Sequence, residues 1–446
     1  MPGERYNILM LAPTSFFADY GSHVRILEEA RILRKLGNQI TLYTYHSGQD
    51  VDDLTIKRTA GIPWRKGYEI GSSWHKIAFD ALLLVKCATA VRRLRPDVIH
   101  AFLHEGALIG CLLSLLGGVL SLSKGGALSP ALSTACPEPF DFAQDKPRRR
   151  VEGSSKSRTP LVFDFQGSLT SEMIDHKFLQ PDSLSHRLLY QLEGVITRWP
   201  QAIIANSQHA AELLVNQFGC DRQKIHIVPD CVDSDRFRPG AIGREERLAL
   251  RAELGMPPEC RVVAYLGLLA EYQGIDLLLQ AAAHLLKAHS NVHFLVMGFP
   301  NVEHYQKMAE RLGLAGHVTF TGRVPYEEAP SYLALGDVAV APKISATEGS
   351  GKLLNYMAMG LPVVAFDTPV SREYLGEQGV TVPVGDTVAL AGALEALLDD
   401  PGRGMALGQK LRERAVHDYL WSEAGEKILQ IYQEIYSAQQ CRQQPQ

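Results

Sequence analysis

Short apolar runs alternate with amphipathic stretches along most of the 446 residues, and this alternation limits the possible folds more than any other feature of the sequence. Buried strands separated by helix-length segments are typical of a parallel sheet covered by helices on both faces. The runs that predict strands are residues 6–12, 39–45, 97–101, 161–165, 202–205, 225–228, 261–266, 292–298, 318–322, 338–342 and 362–366. The sequence therefore predicts an α/β fold with doubly wound parallel sheets.

The alternation pauses once and then restarts, which divides the chain. A single hydrophobic core stops growing at roughly 250 to 300 residues, so a chain of 446 residues predicts two or three domains. The pause at Phe237-Arg238-Pro239-Gly240 separates the two series of strands. We predict an N-terminal domain over residues 1–239, a second domain over 240–420, and a final helix with a tail over 421–446.

Two segments of the first domain need separate interpretation. Residues 106–123 contain no charge, which reaches the lower length limit for a membrane span, but their four glycines and the preceding strand favour a helix packed on the sheet. Residues 120–159 are rich in Ser, Gly, Pro and Ala and contain the run Pro147-Arg148-Arg149-Arg150. We interpret them as a mostly disordered insertion, with the arginines as a solvated charge run.

Charge and cysteine content restrict the class of protein. Lys and Arg number 45 against 49 Asp and Glu, a net charge of −4, which argues against a protein that coats nucleic acid. The seven cysteines are odd in number and form no C-x-x-C pair, so a reducing compartment is expected. The first twenty residues lack the pattern of an export signal, and a cytoplasmic location follows as an expectation.

Several signatures of enzymatic chemistry are absent from the sequence. It has no G-x-x-x-x-G-K-[ST] phosphate loop, no G-x-G-x-x-G after a strand, no H-E-x-x-H and no G-x-S-x-G. Kinases, dehydrogenases, zinc peptidases and serine hydrolases are thereby disfavoured. The triplets Asp50/Asp52 and Asp233/Asp235 could hold a divalent cation, but such pairs are common in turns, so no metal site is predicted.

Residues 341–369, APKISATEGSGKLLNYMAMGLPVVAFDTP, carry the clearest candidate site. A strand ends at Pro342, a loop with Gly349 and Gly351 follows, and a helix is predicted over 352–359. Free N–H groups and the positive end of a helix dipole at such a helix start suit a phosphate. Lys352 and Asn355 lie at i and i+3, so both could contact one ligand. The alternative is a loop and helix with a structural role only.

These residues also carry a resemblance. KLLNYMAMGLPVVAFDTP, IVPDCVDSDRF, VAYLGLLAEYQGIDLLLQA, VTFTGRVPYEE, PDVIHAF and IIANSQHAAELL together resemble glycosyltransferase family 4. The resemblance implies the GT-B architecture, in which two Rossmann-like domains face a cleft. It also implies an acceptor on the N-terminal side, a nucleotide-sugar on the C-terminal side, and a final helix that returns to the first domain. The reaction would be independent of metal and would retain the configuration of the transferred sugar.

On the donor side, the resemblance assigns roles to individual residues. Glu348 would bond the donor sugar, Asn355 the ribose, and Lys352 the diphosphate. The family's phosphate-binding loop, G-R-x-x-x-x-K-G, corresponds here to 267–274, where Leu268 and Gln273 replace the usual Arg and Lys. The complete set of predicted donor-side residues is Gly267, Gln273, Gly274, Arg323, Val324, Glu348, Gly349, Ser350, Gly351, Lys352, Leu353 and Asn355.

On the acceptor side, polar residues follow the predicted strands of the first domain. Ligands gather beyond the carboxyl ends of parallel strands, so these residues are expected near the cleft. We predict a sugar contact from His104, with His100 a weaker candidate in the same motif. The other predicted acceptor-side residues are Gly21, Ser22, His23, Asp164, Gln166 and Asn206.

Basic residues concentrate between residues 56 and 95. Nine Lys and Arg face two acidic residues there, a balance of 9 − 2 = +7, interleaved with Trp64, Tyr68 and Trp74. This composition suits an anionic membrane surface, and a solvated face is the alternative.

The sequence as a whole predicts a retaining glycosyltransferase that needs no cofactor beyond its nucleoside-diphosphate-sugar substrate. The acceptor would be a hydroxyl group of a glycan, a lipid-linked sugar or a small molecule, as in the synthesis of cell-envelope polysaccharides. No nucleic-acid partner is expected, and peripheral association with an anionic membrane is a further expectation. Two alternatives remain: a nucleotide-sugar epimerase of the same fold, and a non-catalytic nucleotide-sugar binder, which Leu268 and Gln273 suggest.

Overall fold

Two parallel β-sheets, one from each half of the chain, organise the structure. The computed structural model describes residues 5–61, 76–122, 159–345 and 349–441. The strands are β1 (Asn7–Ala12), β2 (Gln39–Thr44), β3 (Ile56–Arg58), β4 (Val98–Phe102), β5 (Leu161–Phe165), β6 (Ala202–Ala205), β7 (Ile225–Ile227), β8 (Arg261–Leu266), β9 (Val292–Met297), β10 (Val318–Gly322), β11 (Val338–Ala341), β12 (Val363–Phe366) and β13 (Val380–Val382). The first sheet has the order β3-β2-β1-β4-β5-β6-β7 and the second β10-β9-β8-β11-β12-β13.

Helices connect the strands and cover the sheets. They are α1 (Gly21–Lys35), α2 (Lys76–Leu94), α3 (Leu103–Leu122), α4 (Leu169–Asp175), α5 (Leu184–Arg198), α6 (Gln208–Asn216), α7 (Arg244–Glu253), α8 (Ile275–Leu285), α9 (Val302–Arg311), α10 (Ala329–Leu333), α11 (Gly351–Ala358), α12 (Pro369–Leu375), α13 (Thr387–Asp399), α14 (Pro401–Asp418) and α15 (Trp421–Cys441). This architecture confirms the predicted α/β fold with two doubly wound parallel sheets.

The predicted strands all form, with ends that differ from the prediction by at most one residue. The sequence analysis missed the two edge strands β3 and β13, because each has only three residues and neither is a continuous apolar run. The inner strands read as apolar runs since helices cover both of their faces: every residue of β4 and β5 is buried.

The last helix of the chain packs on the first domain. Gly425 of α15 approaches α1 so closely that a Cβ there would lie 2.6 Å from Cγ1 of Ile32. The ring of Tyr432 lies 5.8 Å from that of Tyr6, and its hydroxyl is 2.6 Å from Nδ1 of the buried His100. The sheets fall on either side of residue 240, and the exact domain boundaries stay a prediction.

The uncharged segment after β4 forms α3, which packs on the first sheet. A Cβ at Gly106 would lie 3.1 Å from the carbonyl oxygen of Leu11, and one at Gly110 would lie 2.5 Å from Cδ1 of Leu161. The glycines therefore allow the helix to approach the strands closely. Within the described parts of the chain, no helix is both long and apolar enough to cross a membrane. Residues 123–158, which hold most of the predicted insertion, lie outside the described residues.

Candidate active site

Each sheet has one point where its strand order reverses direction, and the two points lie on opposite sides of one cleft. In the first sheet the order reverses between β1 and β4, and in the second between β8 and β11. Ligands of open α/β sheets bind beyond the carboxyl ends of the strands at such points. The loops that follow these four strands all contribute to the lining of a cavity of about 280 Å³. The topology alone thus makes this cleft the candidate site.

The start of α11 forms the donor-side wall of the cleft. Gly349, Ser350 and Gly351 line the cavity, and the Ser350 side chain does not cap the helix. The start of α11 therefore borders the cavity with its backbone and not with a capping side chain, as helix starts that bind anions do. Lys343 also lines the cavity, is buried, and donates from Nζ to the Gly349 carbonyl oxygen at 2.8 Å. A lysine charge thus lies beside these amides.

Lys352 brings a second positive charge to the loop after β8. Its Nζ lies 2.8 Å from Oε1 of Gln273 and 4.6 Å from the ring centre of Tyr265. A Cβ at Gly267 would lie only 2.8 Å from the same Nζ, so the glycine provides the space that the ammonium group uses. The lysine of α11 therefore lies next to the glutamine that stands where the resemblance expects a lysine. The charge missing from the loop is present on the neighbouring helix.

Asn355 and Val324 complete the donor side as predicted, since both line the cavity. Among the described donor-side residues, three do not line it: Gly274, Arg323 and Leu353. Leu353 is fully buried in the core. Arg323, predicted as a donor-side residue, pairs with Asp19 of the first domain, Nε to Oδ2 at 2.7 Å. Glu348 lies outside the described residues.

Gly274 does not line the cavity, but it allows two loops of the donor side to pack against each other. It has a φ of 76°, in the left-handed region that favours glycine, and it begins α8. A Cβ at this position would lie 1.7 Å from the carbonyl oxygen of Pro342, the residue after β11. The two loops of the donor side can pack together only because residue 274 has no side chain.

On the acceptor side, His104 faces the cleft and is paired with a buried carboxylate. Its Nε2 lies 3.2 Å from Oε1 of Glu193, which is fully buried. Glu193 also accepts hydrogen bonds from the backbone N–H groups of Leu169 and Thr170, at 2.9 and 3.0 Å. Burial raises the pKa of Glu193, but the neighbouring His104 and the hydrogen bonds from Thr170 together lower it more, so the pKa lies below its usual value. The carboxylate therefore stays ionised and orients the imidazole.

The remaining acceptor-side predictions divide into two groups. Gly21, Ser22, Gln166 and Asn206 line the cavity as predicted. Within the described chain, His23 and Asp164 do not, because both are fully buried behind the wall of the cleft.

His23 is held inside the first domain by two hydrogen bonds. Its Nδ1 accepts from the Ala18 N–H at 2.8 Å, and its Nε2 lies 2.6 Å from the Thr14 hydroxyl. Burial lowers its pKa to about 3, so the ring is neutral and fixes the turn after β1. His23 therefore has a structural role, which is to hold the loop after β1 in its conformation.

Asp164 belongs to a buried cluster of charges that the sequence analysis did not anticipate. It accepts from Nη2 of Arg25 at 2.8 Å, and Arg25 also pairs with Glu29 and with Asp230 of the cleft wall, at 3.0 and 3.1 Å. Glu29, His100 and Asp164 lie close enough to share a metal ion, but the Arg25 guanidinium already occupies this position between the carboxylates. The cluster is therefore an ion-pair network around one arginine.

Other cleft residues were also missed. Lys76 and Glu105 line the cavity and pair with each other at 3.4 Å, although 29 positions separate them in the chain. Asp19, Tyr20, Arg25 and Asp230 line it as well. No local motif surrounds these residues, so their proximity depends on the fold. The two D-x-D triplets do not line the cavity, and Asp233 accepts hydrogen bonds from the backbone N–H groups of Asp235 and Arg236.

Comparisons with known proteins agree with this geometry. Residues 260–400 match the family model described as Glycosyl transferases group 1, and residues 148–236 match the one described as Glycosyltransferase Family 4. The chain is 31% identical over 242 residues to the D-inositol 3-phosphate glycosyltransferase of Nocardia farcinica, covering 52% of each chain. It is 32% identical over 236 residues to the GDP-mannose-dependent alpha-(1-6)-phosphatidylinositol monomannoside mannosyltransferase of Mycolicibacterium smegmatis, covering 50% of this chain and 60% of the relative. The match thus spans about half the length of these curated relatives.

Similarity to solved structures extends over nearly the whole chain. Sucrose-phosphate synthase from Thermosynechococcus elongatus gives a TM-score of 0.73 at 17% identity, covering 97% of this chain and 100% of that one. The Anabaena protein HepE, in complex with UDP and glucose, gives 0.71 at 16% identity, covering 96% and 99%. At these identities the likeness shows the fold. Together with the two family models, it establishes that the chain belongs to the glycosyltransferases and has the GT-B architecture.

Proposed function

We propose that this chain transfers a sugar from a nucleoside-diphosphate-sugar to a hydroxyl acceptor, with retention of configuration. The single observation that carries the proposal is the start of α11, where amide N–H groups, Lys343 and Lys352 border the cleft together. Such a group of donors suits a diphosphate. The UDP complex of HepE and the GDP-mannose dependence named for the mycobacterial relative support a donor of this class.

In the proposed reaction, the bond between the anomeric carbon and the diphosphate oxygen breaks, and the acceptor oxygen bonds to that carbon on the same face. The acceptor proton passes to an oxygen of the leaving diphosphate, so no separate base is needed. Negative charge grows on the leaving group, and the α11 amides with Lys352 stabilise it. Asn355 would bond the ribose, His104 a sugar hydroxyl, and Glu348 the donor sugar, as the resemblance implies.

Lys352 also bears on the alternative of a non-catalytic binder. That alternative was based on Leu268 and Gln273, which remove two charges from the loop after β8. Because the Lys352 ammonium lies 2.8 Å from Gln273, the site retains a cation at this point. No feature of the site favours an epimerase. The proposal includes an acceptor that is either soluble or lipid-linked, and peripheral association with an anionic membrane.

The proposal is tested by measuring nucleoside-diphosphate release from a panel of nucleotide-sugars, after thermal-shift screening has selected the donor that stabilises the protein most. Lys352→Ala should lower turnover by about 10² to 10³, because it removes a donor aimed at the leaving group. The matched control is Lys307→Ala, which removes an exposed lysine of the same domain. Turnover by Lys352→Ala equal to that of the control, in a folded protein, contradicts the proposed role of α11.

A further inference from the structure

The first domain has one outward face that differs from the rest of the described surface. Helices α2, α3 and α5 pack side by side on one side of the first sheet, whereas α1 and α15 pack together on the other. We call the outward surface of α2, α3 and α5 the outer face. Its most exposed large apolar side chains are Leu184, Val85, Ile77, Leu188 and Val195, with exposed fractions of 75, 66, 63, 59 and 50%.

These side chains form continuous stripes along their helices. Leu184, Leu188 and Val195 lie at i, i+4 and i+11 of α5, so they share one side of that helix. Ile77 and Val85 lie eight residues apart on α2 and also share one side. Among their described side chains, neither α1 nor α15 exposes a large apolar residue. Scattered exposed leucines are ordinary, but a contiguous apolar face marks an interaction surface.

Charge indicates what covers this face. The exposed charged residues of α2 and α5 include Arg92, Arg93, Arg187 and Arg198. Among the described side chains of α2, α3 and α5, no Asp or Glu is exposed: Asp80 and Glu105 are half-buried, and Glu193 is buried. Asp182, just before α5, is exposed, but the three helices themselves present an apolar surface bordered by arginines with no exposed acidic side chain among those described, which is complementary to an anionic lipid headgroup layer above an acyl phase.

A second copy of the chain fits this face less well. In a two-fold dimer each face would meet its own copy, which would bring the arginines of the two subunits together with no exposed acidic side chain on the described parts of these helices to neutralise them. We propose that the outer face docks the protein on an anionic lipid bilayer, with the α5 stripe inserted among the acyl chains. This locates the membrane association included in the proposed function. It is independent of the cleft, because none of the exposed apolar residues and exposed arginines named above lines the cavity.

The basic segment found by sequence analysis contributes only in part. Residues 62–75, which hold its three aromatic residues, lie outside the described residues. Arg58 donates to the Ser47 carbonyl oxygen at 3.1 Å, and Lys86 donates to the Arg58 carbonyl oxygen. These two charges are used within the first domain. The exposed arginines at the end of α2 remain available to lipid.

Vesicle flotation tests the proposal without any sugar donor, so its failure would leave the proposed transfer reaction unaffected. The full chain should float with vesicles of phosphatidylcholine and phosphatidylglycerol and not with phosphatidylcholine alone. The combined variant Leu184→Gln, Leu188→Gln and Val195→Gln should bind at least tenfold more weakly, because it removes the inserted apolar area. Leu248→Gln on α7, which is also 50% exposed, is the matched control and should float like the wild type.

The electrostatic part is tested separately. Arg92→Gln and Arg93→Gln should each weaken binding to the anionic vesicles by about fivefold and reduce its dependence on salt. All variants change exposed side chains, and circular dichroism with thermal unfolding confirms that they fold. The proposal is wrong if the wild-type protein does not float with anionic vesicles. It is also wrong if the α5 variant floats as well as the wild type. A dimer in sedimentation experiments that the α5 variant dissociates also overturns it, since a second copy would then cover the face.

Discussion

The two sides of the cleft use different physical means to build a polar site. The donor side relies on backbone: glycines that allow close packing, a helix start that borders the cavity, and lysines that lie beside it. The acceptor side relies on side chains paired inside the protein, such as Arg25 with Asp164, His104 with Glu193, and Lys76 with Glu105. The donor side therefore presents backbone amides and ammonium groups to an anion, whereas the acceptor side presents charges that are paired with charges of opposite sign.

This difference predicts different sensitivities to mutation. A backbone-built site should fail when a side chain is added where none fits. A site built from ion pairs should fail when one partner loses its charge. The following predictions test that contrast in order of decreasing effect.

The largest effect is expected from Gly274→Ala. The added methyl group meets the Pro342 carbonyl oxygen at 1.7 Å, and the residue must also keep a φ of 76°. The clash and the strained backbone together should lower the free energy of unfolding by about 4 kcal/mol. Urea denaturation followed by circular dichroism measures this change.

Gly313→Ala separates the two causes. Gly313 has a nearly identical φ of 73°, but a Cβ there meets nothing within 4 Å. This variant should lose only about 1 kcal/mol, the strain alone. Equal losses in the two variants would show that close packing of the loops after β8 and β11 does not hold the donor side together.

Asp164→Asn should have the next largest effect. Burial and the neighbouring Asp164 raise the pKa of Glu29 well above its usual value, so Asp164 is the main countercharge of the buried Arg25. Removing this charge should lower the free energy of unfolding by about 3 kcal/mol, because it breaks a buried pair and leaves the partly exposed Asp230 as the remaining countercharge of the buried arginine.

The control for this variant is Asp50→Asn. Asp50 also pairs with an arginine, Arg58, at 2.6 Å, but its side chain is 81% exposed. Exposed pairs contribute little, so denaturation of this variant should match the wild type. A loss in Asp164→Asn as small as in the control would mean that Glu29 neutralises Arg25, and that the acceptor side does not depend on this pair.

The same contrast explains how much the sequence could reveal. The donor side was predictable because its residues lie in one short segment after a strand, and an anion site at a helix start needs only local structure. Gly349, Ser350, Gly351, Lys352 and Asn355 were accordingly predicted and line the cleft. Arg323, also predicted for the donor side, does not line the cleft but pairs with Asp19 from the other domain, a contact between positions that are distant in the sequence.

The acceptor side was less predictable because its pairs form between distant positions. Arg25 and Asp164 are 139 residues apart, and only the neighbouring register of β4 and β5 in the sheet brings Asp164 near the cleft wall. His23 appeared to be a ligand-facing histidine in sequence, but the fold turns it inward to bond Ala18 and Thr14. The strand pattern was predictable throughout, except for the two edge strands with too few residues to show a periodicity.

The smallest effect is expected from Asn355→Ala, which tests a single contact between the donor side and the nucleotide. It lies one helical turn after Lys352 and lines the cavity, which places it where the resemblance expects a ribose contact. A neutral side chain there contributes an ordinary hydrogen bond, so Asn355→Ala should weaken binding of the nucleoside diphosphate selected by thermal shift by about fivefold. Isothermal titration calorimetry measures this difference, with Ser331→Ala as a control outside the cleft.

The deoxyribose forms of the same nucleotide identify the contacted group. If Asn355 bonds a ribose hydroxyl, the nucleotide lacking that hydroxyl has already lost the bond, and Asn355→Ala should not weaken its binding further. A fivefold loss with both forms would place Asn355 on the phosphates or on another residue. If that contact is to another residue, the donor side would resemble the acceptor side in this respect, because Asn355 would act by holding a protein group and not by contacting the ligand.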